Sequence, residues 1–183
     1  MQPVQREEII DFVTYEEKRA DVRTEVLAIK APRRVHVGEV MTFLFENTAT
    51  VRYQVQEMVR VERMVRESDI VHEIETYNEL LGGPGELGAT LLIEITDEAE
   101  RNAKLTAWTA LPQHVYARTE DGTRVTAVFD LRQIDERRLS SVHYLKFPLG
   151  GRLPLAIGVD MPGLVAETTL NPSQIEALRA DLA

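Results

Sequence analysis

Two helical stretches in tandem, Thr48 to Glu67 and Asp69 to Leu81, constrain this chain most, because each sets a glutamate inside its own apolar stripe. In the first, Val51, Val55, Met58, Val61 and Val65 recur at helical spacing. At about 100° per residue, Glu62 falls near the middle of the face they define. In the second, Ile70, Ile74, Tyr77 and Leu81 set the stripe, with Glu73 on one flank and Asn78 on the other. A carboxylate taken out of water must be paired, hydrogen-bonded, protonated or metal-bound, so the rest of the chain has to supply the compensating groups. The joint between the two stretches is short, which predicts an antiparallel helix hairpin.

A third helix is expected from Thr14 to Lys30. Thr14 and Glu17 have capping-box spacing, and Ala31-Pro32 stops the run. Its stripe, Tyr15, Val22, Val26 and Ile29, also carries Arg19, which makes Arg19 an expected partner for Glu62 or Glu73. Arg33 to Val37 alternates as a strand does, Gly38 turns, and Val40 to Phe45 is an apolar run open to strand or helix start, read here as strand. Asn47 or Thr48 is the expected cap of the long helix, and Ser68 or Asp69 that of the next. Gly82 to Gly85 ends the helical half, and Ala89 to Ile95 reads as a buried strand. Thr96 and Asp97 suit the cap of a helix to Thr109, with Ala99, Ala103 and Ala107 placed for close packing. His114 to Arg118 and Thr123 to Asp130 flank the turn Glu120-Asp121-Gly122, and Leu139 to Phe147 continues a meander. Further strands are expected at Leu153 to Val159 and Leu164 to Leu170, before a helix capped by Asn171 and opened by Pro172. The fold class that follows is α+β: N-terminal helices, including the helix hairpin, packed on a mostly antiparallel sheet in a single domain.

Composition narrows the chemistry. None of the 183 residues is cysteine, so the chain offers no disulfide, thiolate metal site, iron-sulfur ligation or cysteine nucleophile. A net charge of −9 disfavours nucleic-acid backbones, whose recognition draws on concentrated Lys and Arg. No apolar run approaches the roughly 20 residues that span a bilayer, and MQPVQREEIIDF does not read as a secretory signal, so a cytoplasmic protein without membrane insertion is expected.

The chemistry-bearing residues gather in three groups. Glu46, Glu57, Glu62, Glu73 and Glu94, with Tyr77, Asn78 and His72 near them in sequence, form a carboxylate-rich set. Hard divalent metals take such ligands, and Glu57, Glu62 and Glu73 are the alternative metal set. The Glu-x-x-His spacing of bundle-type di-iron sites is missing, which favours a buried network in which Glu62 and Glu73 pair with Arg19, Arg23 or Arg34, with no cofactor. Arg19, Arg23, Lys30, Arg33 and Arg34 read alternatively as an anion-binding cluster. His143, in a strand beside Tyr144, has the chemistry of an acid or base, but no nucleophile motif accompanies it. The expected ligand site or buried polar network therefore comprises Arg19, Arg34, Glu57, Glu62, Glu73, Tyr77, Asn78 and His143.

Arg33-Arg34-Val35-His36-Val37-Gly38, Phe45-Glu46-Asn47, Gln56-Glu57-Met58, Glu62, Glu73-Ile74-Glu75-Thr76-Tyr77-Asn78, Ala89 to Glu94 and Val142-His143-Tyr144-Leu145 together resemble an uncharacterised bacterial family known as a domain of unknown function. The resemblance spans most of the chain. It implies gene neighbours encoding a rubrerythrin-like protein and an iron-sulfur oxidoreductase, and hence a part in peroxide or electron-transfer metabolism. The expectation is an accessory protein that binds a ligand or a redox partner of that kind. A metal-dependent enzyme built on the glutamates is the alternative.

Overall fold

The computed structural model describes residues 1–130 and 138–183. Helix α1 (Phe12–Lys30) begins two residues earlier than Thr14, because Asp11 is the better cap: its carboxylate accepts hydrogen bonds from the N–H groups of Val13 and Thr14. A short turn, Ala31–Arg33, leads into β1 (Arg34–Val37) and β2 (Met41–Glu46), so the Val40 to Phe45 run is strand. Helix α2 (Thr48–Val61) is capped by Asn47, whose side chain accepts from Thr50 N–H while the Thr50 hydroxyl accepts from Asn47 N–H.

Helix α2 ends six residues short of the expected Glu67. Val51, Val55 and Val59 are fully buried, and the next positions on that face are Glu62 and Arg63. Another turn of helix would drive both charges into the apolar seam, so the chain leaves the helix instead. Arg63 takes a left-handed backbone, φ 48°, and Met64 N–H bonds back to Val59 O, the long bond of a Schellman stop. Glu62 is therefore exposed, and so are Val61 and Val65, at 58% and 79%. Helix α3 (Glu67–Asn78) then folds back, burying Ile70 and Ile74 beside Val51, Val55 and Val59. The N-terminal segment closes this helical core with Val4 and Ile9.

After α3 come β3 (Leu87–Ile93), α4 (Glu98–Ala107, capped by Asp97), β4 (Val115–Thr119), β5 (Arg124–Thr126), β6 (Val128–Phe129), β7 (Val142–Phe147), β8 (Pro154–Met161), β9 (Leu164–Thr169) and α5 (Pro172–Leu182, capped by Asn171). The α+β reading holds, and the described strand pairings are antiparallel, but they make two sheets where one meander was expected. One sheet runs β1-β2-β3-β7-β6 and the other β5-β4-β8-β9. The chain crosses between them at Ala127, which is buried and donates its N–H to Val115 O, so the expected Thr123 to Asp130 strand is split across the two sheets. The turn at Asp121-Gly122 is as expected, with Gly122 at φ 83°. On α4 the alanines face solvent and Leu105 is the buried anchor.

A second core lies between the sheets. Phe43, Phe45, Leu91, Leu145 and Phe147 meet Val115, Ala117, Ile157 and Val159 there, with Leu105 and Leu178 added from the helices. Strand β2 is buried along its whole length, so its outward residues Thr42, Leu44 and Glu46 are covered as well. Strand β7 instead alternates, with His143, Leu145 and Phe147 buried and Val142 and Tyr144 exposed. The cover over the outer face of the five-stranded sheet thus stops between β3 and β7. A step in the surface results.

Candidate functional site: a groove between α3 and the β6–β7 edge

The step is a groove of about 530 Å³, within the size range of small-molecule sites. One wall is helical. Glu73, Thr76 and Tyr77 share one side of α3 next to the buried Ile70 and Ile74, against whose cluster Tyr77 and Leu80 also pack, and Glu79 and Leu80 continue the wall past the helix end. The other wall is sheet, with Val128 and Phe129 from β6 and Tyr144, Leu145 and Lys146 from β7, followed by Asp130. Tyr144, 42% exposed, presents its ring to the groove because strand alternation sends His143 and Leu145 inward.

Behind the groove sits a buried carboxylate. Tyr144 pairs with Thr90 across β3 and β7, and the Thr90 hydroxyl donates to Glu46 Oε1 at 2.8 Å. Thr50 donates to Oε2 of the same carboxylate at 2.5 Å, and Glu46 is only 7% exposed. Burial pushes the Tyr144 hydroxyl above its ordinary pKa, and the nearby Tyr77 and Glu46 push it the same way. Burial also holds the Lys30 ammonium below its ordinary value, against the pull of Glu46. That ammonium lies 5.0 Å from the centre of the Tyr53 ring.

One glycine brings the helical wall down onto the sheet. A Cβ on Gly88 would stand 1.8 Å from the carbonyl oxygen of Leu80, so the turn after α3 rests on bare β3 backbone.

Of the residues expected at the site, Glu73 and Tyr77 line this groove and the others go elsewhere. Asn78 ties down the N-terminal segment, accepting from Val4 N–H at 2.8 Å and donating to Val4 O at 3.0 Å. Arg19 pairs with Glu57 (2.8 and 3.1 Å), where Glu62 or Glu73 was expected, and Tyr15 and Arg60 complete the set by donating to the same carboxylate. The reason is register: α1 crosses α2 beside position 57, while Glu62 lies past the end of α2. Burial raises the Glu57 pKa, but those three donors outweigh it and hold the group below its ordinary value. Burial first, and then the bond to the Glu57 carboxylate, push the Tyr15 phenol above its normal range, while Arg19 pulls it the other way.

Arg34 stands at the start of β1, and its carbonyl accepts from Gln174. The arginine cluster disperses in the same way: Arg33 makes a buried, two-pronged pair with Asp181 at 2.7 and 2.9 Å, pinning α5 to the turn before β1. His143 is fully buried in the core between the sheets, on the face of β7 opposite Tyr144. Its Nε2 lies 2.9 Å from Ser140 O, its Nδ1 has no partner among the described residues, and burial pushes its pKa down. Glu57, Glu62 and Glu73 do not converge. Among the described residues no three His, Asp or Glu side chains lie together as a metal would need. No helix is long and apolar enough to cross a membrane among those residues.

Sequence reasoning missed Tyr144, Phe129 and the Thr50–Glu46–Thr90 network as parts of one place. Alternation within Val142 to Phe147 signals that Tyr144 faces outward, but its neighbours depend on β3 and β6 pairing with β7, which are contacts distant in sequence.

Comparison with known proteins follows the fold over its whole length. The family described as "Protein of unknown function (DUF3501)" matches residues 3–182. A crystal structure of a novel protein of unknown function from Burkholderia pseudomallei K96243 is similar at 29% sequence identity, with a TM-score of 0.91 and complete coverage of both chains. None of the curated proteins matches the chain.

Proposed function

We propose, for a chain that belongs to the DUF3501 family of proteins of unknown function, that it is a binding protein whose groove between α3 and the β6–β7 edge takes a small ligand. The observation that carries this reading is the groove itself: three aromatic rings, Tyr77, Phe129 and Tyr144, gather around one cavity of about 530 Å³ where the helical cover stops. Apolar walls with a few polar groups set among them are the usual make-up of such sites. The rings and aliphatic side chains that line it among the described residues suit recognition of a ligand.

The wider role proposed with it is that of a cytoplasmic accessory protein in peroxide or electron-transfer metabolism, working beside a rubrerythrin-like or iron-sulfur protein. This part rests on the family resemblance. Native co-purification with both candidate partners expressed tests it, and recovery of the protein without either would count against it.

The groove is tested with benzyl alcohol as a neutral probe, followed by amide chemical shifts. The expected result is saturable movement confined to residues 73–80, 128–130 and 144–146, abolished in Thr76→Trp, whose indole fills the groove from an exposed position. Movement scattered over the surface, or unaltered by Thr76→Trp, would overturn the reading.

A further inference from the structure

Resting on the groove as a ligand site, we propose that its ligand is an organic cation: an ammonium group carried on an apolar or aromatic body. Two features of the groove combine to select that class. The first is the rings. Tyr77, Phe129 and Tyr144 line one cavity, and the face of an aromatic ring attracts an ammonium group, more strongly when solvent is partly excluded.

The second is uncompensated charge. Glu73 and Glu79 line the same cavity, and neither makes an ion pair or side-chain hydrogen bond with any described residue. Lys146 is the one cationic side chain on the described walls, and it pairs with neither of them. Several carboxylates of this chain carry cations of their own, Glu57 with Arg19 and Arg60, Asp181 with Arg33, Glu167 with Arg118 and Glu67 with Arg6, whereas Glu73 and Glu79 line a cavity with no cation of theirs among the described residues.

The charge behind the rings has the same sign. Glu46 is buried and held by two hydroxyls, with no cation bonded to it, and its field reaches Tyr144. A ring backed by a carboxylate presents a more negative face to the groove. An anionic ligand would have Lys146 to attract it, outnumbered by Glu73, Glu79 and the field of Glu46. A neutral aromatic would gain the apolar contact but leave the carboxylates unanswered. An ammonium with an apolar body answers both the rings and the charges. The apolar body has Leu80 and Val128 to rest on.

The test compares three probes of similar body: benzyltrimethylammonium, benzyl alcohol and benzoate, titrated calorimetrically against the full chain at low ionic strength. Benzyltrimethylammonium is expected to bind about tenfold more tightly than benzyl alcohol, and benzoate more weakly than either. Glu73→Gln with Glu79→Gln should remove most of that preference, whereas Glu75→Gln, an exposed position of the same helix outside the groove, should keep it. Equal binding of the cation and the alcohol would overturn the cation inference and leave the groove intact. Failure of both to bind would overturn the groove reading itself.

Discussion

Asp181→Asn should cost this protein more stability than any comparable change at its surface. Asp181 is the last acidic residue of the chain, on a terminal helix, where removal of a charge is ordinarily mild. Here its side chain is 7% exposed and that of Arg33 is 10% exposed. The two meet through paired bonds of 2.7 and 2.9 Å, and the remaining Arg33 nitrogen donates to Ile29 O at 2.8 Å. The pair joins the end of α1, the turn before β1 and α5, which are separated by 148 residues of sequence. Replacing the carboxylate with an amide leaves a guanidinium charge in a place water barely reaches. Breaking a buried pair in this way costs about 3–5 kcal/mol, which for a chain of this size lowers the melting temperature by roughly 6–20 °C. Urea denaturation of wild type, Asp181→Asn, Arg33→Met and the double variant closes the cycle. The double variant should recover most of the loss, because neither charge is then stranded. A loss below about 1 kcal/mol in Asp181→Asn, the range of exposed pairs, would refute the argument that this pair is desolvated.

Three further outcomes are expected. Gly88→Ala should lose about 2 kcal/mol or more in denaturant melts, since its methyl meets backbone at Leu80 that cannot swing aside; an unchanged midpoint would mean that α3 is not seated on β3 there. Arg63→Gly should gain about 0.5–1 kcal/mol by relieving a left-handed backbone on a non-glycine residue, and a loss would show that the Arg63 side chain holds the hairpin tip. Because burial depresses the His143 pKa in the folded state, the unfolded chain takes up that proton first. Its contribution is intact above about pH 6.5 and declines as pH falls toward the depressed folded value, so the drop in stability between pH 7.5 and 5.5 should shrink in His143→Gln; an equal drop would place the slope on other groups.

What could be read in the sequence was local. Asn47, Asp97 and Asn171 announced their helices because capping is settled within a few residues, and Asp121-Gly122 announced its turn for the same reason. The end of α2 was misread because Val61 and Val65 continue the apolar rhythm, while the decision to stop was made by the charges at 62 and 63 that continuation would bury. Strand positions were legible and strand partners were not: nothing around Ala127 tells that the chain changes sheets there. The candidate site divides along the same line. Glu73 and Tyr77 share a helix face and could be read together, whereas Tyr144 and Phe129 join them only through the pairing of β7 with β3 and β6. Arg19 is expected from its stripe to meet Glu62 or Glu73 and meets Glu57 instead, because the partner depends on where α1 crosses α2.

The most direct test of the account is a crystal of the protein soaked in benzyltrimethylammonium. The account predicts density for the cation in the groove, its ammonium against the Tyr77 and Tyr144 rings and within reach of Glu73 or Glu79. A groove that stays empty at saturating probe, or a probe bound only elsewhere on the surface, would contradict it.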